Sequence, residues 1–187
     1  MTEYVTRLLS LGVLSILISA CQSVDTLKLK QLKQPTNAEK IVRIYCTGTP
    51  DCEFSRLDKT QILDANSGRV TQQAMQQKLV RLQTKHVKDA NSLYLTVPAG
   101  QHELIIRFYP ITKDKAETFH VFHNFKAGQK YTAYMYRKRI NRATSLLNAS
   151  TPDPLCVDLK QAEKTIRRFC KPYNAETGIA EFVEQKI

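Results

Sequence analysis

The chain has 187 residues and a formal net charge of +11 at pH 7. Such a length supplies one hydrophobic core and excludes a second of comparable size. The basic balance favours partners that carry negative charge, with a well-solvated basic surface as the alternative.

The N-terminus carries a short apolar run, Leu8 to Ala20, which follows Arg7. Its thirteen residues fall short of the ~20 that span a bilayer as a helix. Small residues close the run, and polar residues follow from Gln22 onward, which is typical of a cleaved export signal. The segment before the run is only slightly basic, because Glu3 accompanies Arg7. An uncleaved anchor, or an ordinary signal with a chance cysteine, stays open as the alternative.

The run ends in Leu17-Ile18-Ser19-Ala20-Cys21, which resembles the lipobox of bacterial lipoproteins. The resemblance implies that residues 1–20 are a signal peptide and that Cys21 becomes an acylated, palmitate-bearing N-terminus. It also implies that the chain is membrane-anchored, and Gln22 in place of Asp favours the outer membrane. We therefore expect a lipid-anchored protein at the periplasmic face, with surface exposure left open. Cleavage removes one cation and one acid, so the net charge stays at +11.

Residues 21–39 are predicted to be a flexible tether. They are polar and rich in lysine, with Pro35, and offer few apolar side chains for burial. Their lysines could lie on anionic head groups. Residues 40–187 are predicted to form a single periplasmic β-rich domain.

Five cysteines make an odd number, which needs an explanation in an exported protein. If Cys21 carries lipid, four remain. Of the three connectivities, we predict the local pairs Cys46–Cys52 and Cys156–Cys170, because short loops cost the least entropy to close. An oxidising compartment favours such disulfides. Four free thiols or a zinc site is the alternative, although neither spacing is that of a close zinc-ligand pair.

The first core signal is Ile41 to Cys46, rich in β-forming residues, followed by a turn-forming loop and a short alternating segment, 53–57. Apolar residues then recur near the helical repeat from Val70 to His86, which predicts one amphipathic helix as an insertion.

The centre of the chain contains an internal repeat, in which two predicted strands flank an Ala-Gly-Gln segment. One copy spans 93–108 and the other 119–136, with Gly100 and Gly128 at the reversals. Glycine supplies the positive φ of a tight turn, and alternating apolar residues predict half-buried antiparallel strands. Two hairpins would form a four-stranded meander, and Ile41 to Leu57 could close it into a sandwich.

The stretch from Val97 to Ile106, with Pro98-Ala99-Gly100-Gln101-His102, and the stretch from Phe125 to Ala133 are similar to a PEGA-type β-sandwich. The similarity covers residues 54–137. Leu57-Asp58 would occupy the family's Ile-Asp-Gly turn, although Lys59 replaces the glycine and Ala99 replaces a typical acidic residue. The resemblance implies a β-sandwich and no shared active site.

The last third contains a basic run of Arg137, Lys138, Arg139 and Arg142, then a loop at 148–154. A C-terminal helix is predicted from Asp158 to Cys170, whereas residues 179–187 fit a strand or a helix. The fold class predicted is mainly β with α (α+β): a small antiparallel β-sandwich or meander with one helical insertion, a C-terminal helix and two disulfides.

Catalytic patterns are weak. His120 and His123 lie three apart on a predicted strand and point to opposite faces, so they cannot share a metal. No Gly-x-Ser-x-Gly elbow and no phosphate-cradling loop occurs. We therefore expect a non-enzymatic protein without metal or cofactor. It would be a structural or accessory module that binds another envelope protein, or a module that binds lipopolysaccharide or peptidoglycan through the basic run. Nucleic acid is not an expected partner. The alternative for the basic run is a solvent-exposed strand end that binds nothing.

Overall fold

The computed structural model describes residues 26–32, 38–139, 152–172 and 180–187. Eleven strands in this part of the chain form two sheets. Sheet A has seven strands in the order β11-β10-β9-β8-β1-β5-β4, and sheet B has four in the order β3-β2-β6-β7. The strands are β1 (Ile41–Thr47), β2 (Asp51–Leu57), β3 (Thr60–Gln61), β4 (Val80–Leu82), β5 (Leu93–Pro98), β6 (Gly100–Tyr109), β7 (Glu117–Phe125), β8 (Lys130–Arg137), β9 (Leu155–Gln161), β10 (Lys164–Lys171) and β11 (Val183–Gln185).

The two sheets bury their alternating apolar residues against each other. In β1, Val42 and Ile44 are buried while Arg43 is exposed, and β8 buries Tyr131, Ala133 and Met135 in the same way. Sheet B contributes the inward residues of its longest strands, which are Leu104, Ile106, Phe108, Phe119, Val121 and Phe125. The mainly β, sandwich-like fold expected from period-two alternation is therefore confirmed.

Both local disulfides are confirmed. Cys46 and Cys52 are bonded at 1.99 Å and join β1 of sheet A to β2 of sheet B. Cys156 and Cys170 are bonded at 2.07 Å and stand directly opposite each other on β9 and β10. One bridge therefore holds the two sheets together, and the other closes a single ladder.

The predicted meander is wrong in its connections. β5 pairs with β1 and β4, whereas β6 pairs with β2 and β7. The two Ala-Gly-Gln segments therefore carry the chain from one sheet to the other, with Gly100 at φ 140° and Gly128 at φ 72°. Crossing between sheets buries the apolar faces of β5, β6, β7 and β8, which a four-stranded meander alone would leave half uncovered. The pairing of β1 with β8 is parallel, in contrast to the antiparallel sheet expected.

The long helix predicted from Val70 to His86 is wrong in its extent. Helix α2 spans only Gln72–Gln76, capped by the Thr71 hydroxyl, which accepts from the Ala74 amide at 3.2 Å. Lys78 then takes a positive φ of 56°, which ends the helix. The following residues form β4, whose Val80 and Leu82 pair with β5, because cross-strand pairing overrides a weak helical pattern.

The predicted C-terminal helix from Asp158 to Cys170 is also wrong. This segment forms the hairpin β9–β10, which turns at Ala162, where φ is 53°. Val157 and Leu159 are fully buried against β8, opposite Met135 and Ala133. The ladder to β8 and the disulfide to Cys170 both require extended chain here.

The segment predicted as a tether, residues 21–39, contains a helix. Residues 26–31, here called α1, form a helix, and Leu29 on it is only 2% exposed and belongs to the core. Leu32 packs against the same cluster. The expectation of little apolar burial in residues 21–39 is therefore wrong at this helix, because one leucine reaches the sandwich. Cys21 and the signal segment lie outside the described residues.

Candidate functional site

The basic run begins at the end of β8. Arg137 is its last residue and pairs with Leu155 of β9, and its guanidinium donates to the carbonyl of Asp153 at 3.0 Å. Lys138 and Arg139 follow, and all three side chains are exposed. Arg142 lies outside the described residues. The exposure of these three cations agrees with the expectation, but their strand does not lie at a sheet edge, since β8 is paired with β1 and β9.

The outer face of sheet A joins this run to a group of tyrosines and cations. Along β1, β5 and β8 their side chains alternate with the buried ones and so point away from the core. Lys160 of β9 pairs with Thr132, which lies on the same side of β8. We call this surface the tyrosine–cation face, and it consists of Arg43, Tyr45, Tyr94, Lys130, Tyr134, Tyr136 and Lys160. Strand β8 connects it directly to the basic run.

Tyr45 lies at the centre of one half of this face. Its ring stacks on Tyr94 of β5, with centroids 4.9 Å apart and planes within 13°. The Lys130 ammonium lies 5.0 Å from the same centroid, and it approaches from β8 on the other side of β1. Burial and the neighbouring Tyr94 raise the pKa of the Tyr45 phenol, and Arg43 partly offsets them. Both faces of the ring are therefore covered, and it presents its edge and hydroxyl.

The second half of the face lies on β8. Tyr134 and Tyr136 stack with centroids 5.7 Å apart, and the Lys160 ammonium is 4.5 Å from the Tyr134 centroid. The Tyr136 hydroxyl donates to the Asp158 carboxylate at 3.2 Å. Burial, then the charge of Asp158, raises the pKa of this phenol. All four rings are half-buried and packed against neighbouring side chains.

The charges on this face are not balanced. Asp158 is 4% exposed and is matched by Arg168, which donates two hydrogen bonds to it at 2.7 and 2.8 Å. Among the described residues, Arg43, Lys130 and Lys160 have no carboxylate within ion-pair distance. Three cations beside the hydroxyls of Tyr45, Tyr94 and Tyr134 can bind an anion and donate to neighbouring oxygen atoms.

The outer face of sheet B, by contrast, is internally paired. Arg56 contacts Glu103 at 2.6 Å, and Arg107 contacts Glu53 at 2.8 Å. Tyr109 also donates to Glu53, and burial followed by this hydrogen bond raises the pKa of its phenol to about 12. Such a network satisfies its own charges and leaves fewer of them for a partner.

A polar cleft of about 450 Å³ opens beside this network. It is lined by Asp51, Glu53, Arg69, Asp89 and Lys113, together with other residues. Lys113 contacts the Asp51 carboxylate at 3.0 Å, and the second oxygen of Asp51 accepts from the Asn91 amide at 3.0 Å. Both oxygens of the Asp51 carboxylate therefore already have partners, on the two loops that carry Asn91 and Lys113.

The histidines are separated as expected. His120 points outward and contacts Glu103 at 2.7 Å, whereas His123 packs edge-on against Phe125 and Tyr131 on the other side of β7. Burial lowers the pKa of His123, with the charge of Arg167 as a second cause. His102 pairs in register with His123, yet its ring binds Asp58 at 2.7 Å. In the described part of the chain, no three potential metal ligands come together.

Sequence reasoning missed the tyrosine–cation face. The signal was present, because Lys130, Thr132, Tyr134 and Tyr136 alternate with buried residues along one strand. It could not be completed from the sequence, because Tyr94 and Tyr45 meet only through the pairing of β1 with β5. Comparison with protein-family models, with curated proteins and with solved structures gives no significant match.

Proposed function

We propose that this chain is a non-enzymatic, lipid-anchored envelope protein, a structural or accessory binding module at the periplasmic face of the outer membrane. The observation that carries the proposal is the pair of disulfides, Cys46–Cys52 and Cys156–Cys170. They favour an oxidising compartment and leave Cys21 as the one cysteine of five without a partner in this scheme. That is the residue at which the lipobox-like pattern ends.

The proposed likeness to PEGA-type sandwiches receives support from one contact. Asp58 lies in the turn between β2 and β3, and His102 follows the Pro-x-Gly segment. Both belong to stretches that carry the resemblance, and their side chains bind each other. The contact fixes the turn of one hairpin against the corner where β5 passes into β6. A module built this way presents faces and edges for binding.

The lipid anchor is tested by replacing Cys21 with Ala and following detergent-phase partitioning and processing. The parent should enter the detergent phase, since burying acyl chains contributes ~0.8 kcal/mol per CH₂ and two or more chains anchor stably. The variant should stay aqueous or remain unprocessed. A Ser substitution of Cys46 and Cys52 together is the matched control, because it removes cysteines without touching the anchor. Equal partitioning of parent and Cys21→Ala would refute the anchor.

A second candidate function is binding of an anionic envelope polymer, lipopolysaccharide or peptidoglycan. We propose that the basic run and the tyrosine–cation face form one continuous surface for it. Arg43, Lys130 and Lys160 supply the charge, since among the described residues they have no carboxylate within ion-pair distance. The tyrosine hydroxyls supply hydrogen bonds to sugar or phosphate oxygens. Because both faces of Tyr45 are already covered, flat stacking of a nucleobase there is disfavoured.

This second candidate is tested by retention on isolated peptidoglycan and on lipopolysaccharide across a salt series. Two variants probe it: Arg137, Lys138, Arg139 and Arg142 to Gln, and Arg43, Lys130 and Lys160 to Gln. The matched control neutralises Lys85, Lys88, Lys115 and Lys126, which are exposed elsewhere. The two variants should bind less and lose salt sensitivity, since exposed charge contacts are screened. If they bind like the control, the surface is only a solubility device.

The first candidate, a protein partner, has its own readout. Affinity capture of the lipidated protein from envelopes should recover a specific protein that the parent and both charge variants retain equally. Loss of that partner in the charge variants alone would place the contact on the tyrosine–cation face instead.

A further inference from the structure

The folded body begins close to the proposed anchor. The described part of helix α1 begins at residue 26, and it is fixed to the core through Leu29, which is 2% exposed. Only residues 22–25 separate it from Cys21. Even a fully extended chain covers at most about 18 Å over these five steps. A lipid on Cys21 therefore cannot let the sandwich stand far from the membrane surface.

Helix α1 lies beside α2 on one side of the sandwich. A groove of about 340 Å³ runs between them, lined by Lys28, Gln31, Leu32, Gln72, Met75 and Gln76. Helix α2 in turn is tied to both sheets on this side. Thr60 of β3 donates to Gln77 at 3.0 Å, and Thr96 of β5 donates to the carbonyl of Lys78 at 2.9 Å. We call this side the helix side. The strands next to it are β4, an edge strand of sheet A, and β3, an edge strand of sheet B.

The helix side has the composition of a surface that touches anionic lipid. Lys28 and Lys30 are exposed on α1, and Lys78 is exposed directly after α2. Leu27 is 55% exposed and can contact the head-group boundary. No acidic residue occurs in 26–32 or in 70–79. Anionic head groups attract basic segments held this close to them.

We propose that the helix side docks on the anionic surface of the membrane that holds the anchor, with Lys28, Lys30 and Leu27 in contact with phospholipid head groups. The inference rests on the proposed membrane anchoring. The far edges of the two sheets, β7 and β11, then point away from the membrane, and the broad tyrosine–cation face stands open to the periplasm. In this arrangement a short linker joins Cys21 to a domain that lies on the membrane, in place of the long flexible tether expected from the sequence.

Hydrogen–deuterium exchange on the full chain, purified from membranes and reconstituted in vesicles, tests this orientation. One set of vesicles is phosphatidylcholine alone, and the other is phosphatidylcholine mixed with phosphatidylglycerol. Amides in residues 26–32 and 72–79 should exchange more slowly in the anionic vesicles, while those of β10 should be unchanged. Equal exchange of the helix side in both vesicle types would overturn the proposal.

Charge variants make the test specific. Lys28→Gln with Lys30→Gln should lower the ratio of docked to undocked protein roughly 30-fold, since each cation near an anionic surface contributes about 1 kcal/mol. The control is Lys164→Gln with Lys186→Gln, which removes the same charge at β10 and the C-terminus, both exposed. It should keep the protection. If both double variants lose the slow amide exchange of the helix side to the same extent, docking through the helix side is contradicted.

The mass of the reconstituted protein separates this proposal from the lipid anchor. If the chain retains residues 1–20 and the helix side is protected, lipidation is wrong and the docked orientation stands. If Cys21 is acylated and the helix side exchanges freely, the anchor stands and the orientation is wrong.

Discussion

The carboxylate of Asp58 lies 2.7 Å from Nδ1 of His102, across 44 positions of sequence. The other carboxylate oxygen accepts from the Glu103 amide at 2.9 Å, and Nε2 of the ring lies 3.0 Å from the carbonyl of Pro98. Each nitrogen of the ring thus has an oxygen atom within hydrogen-bond distance. The contact therefore locks the β2–β3 turn to the corner at which the chain passes between the sheets.

Replacing Asp58 with Ala should lower the free energy of unfolding by about 1 kcal/mol. The carboxylate accepts two charge-assisted hydrogen bonds, but its side chain is 46% exposed, so solvent screening reduces their worth. Chemical denaturation measures the change. Asp114→Ala, at an exposed loop position, is the control and should cost less than about 0.5 kcal/mol. Equal effects of the two substitutions would show that the lock contributes nothing.

Stability should fall in acid through two carboxylates. Burial raises the pKa of Asp58, but hydrogen bonds from Glu103 and His102 more than offset it, so this pKa is lowered. Burial likewise raises the pKa of Asp158, and hydrogen bonds from Arg168 and Thr165 more than offset it, so this pKa is lowered too. A carboxylate with a lowered folded pKa contributes stability above its unfolded pKa of about 3.9 and loses it as pH falls through the folded value.

The measurement is the free energy of unfolding between neutral pH and the acid limb. Below about pH 4 the parent should lose stability, and the Asp58→Asn, Asp158→Asn double variant should lose less over the same interval. A double variant with an unchanged acid limb would mean that these two groups do not carry the linkage.

Gly48→Ala should be among the most damaging small substitutions. Gly48 has a φ of 99°, and an added Cβ would lie 2.1 Å from the carbonyl oxygen of Met135 on β8. The strained φ and the backbone clash together should cost at least about 3 kcal/mol. Gly68→Ala is the matched control, because its φ is 63° and nothing lies within 4 Å of the added Cβ. It should cost only about 1 kcal/mol. Thermal unfolding of the two variants compares them, and similar losses would contradict the close approach.

Removing the Cys156–Cys170 bridge should cost more stability than removing Cys46–Cys52. The two bonds span 14 and 6 positions of sequence, and chain entropy predicts about 3 and about 2 kcal/mol respectively. Paired Cys→Ala variants in denaturant give both numbers. The reverse order would show that fastening sheet A to sheet B matters more than loop closure. Non-reducing peptide mapping of the parent should recover the two local pairs, and a Cys46–Cys156 peptide would refute the pairing.

The sequence predicted the four central strands, β5 to β8, well and their partners poorly. Alternation along residues 93–108 and 119–136 correctly gave which side chains are buried, because period two reads directly as an inward and an outward face. It could not show that consecutive strands belong to different sheets. A glycine with positive φ serves a hairpin and a crossing between sheets equally, so Gly100 and Gly128 left the choice open.

One error in the C-terminal region was avoidable. A straight helix from Asp158 to Cys170 would hold its ends about 18 Å apart at 1.5 Å per residue, whereas disulfide-bonded Cα atoms lie within about 7 Å. The predicted bridge Cys156–Cys170 and the predicted helix were therefore in conflict. The observed Cα separation of 4.1 Å belongs to a cross-strand pair. The burial of Leu29, by contrast, had no clear signal in its lysine-rich surroundings.

The lipid-anchored function is tested by the intact mass of the mature protein isolated from envelopes, followed by identification of its N-terminal peptide. If the protein is lipid-anchored, the mature chain should begin at Cys21, carry acyl chains there and contain both disulfides. A chain that begins at Met1, or one cleaved elsewhere with Cys21 unmodified or absent, would contradict the lipid-anchored function.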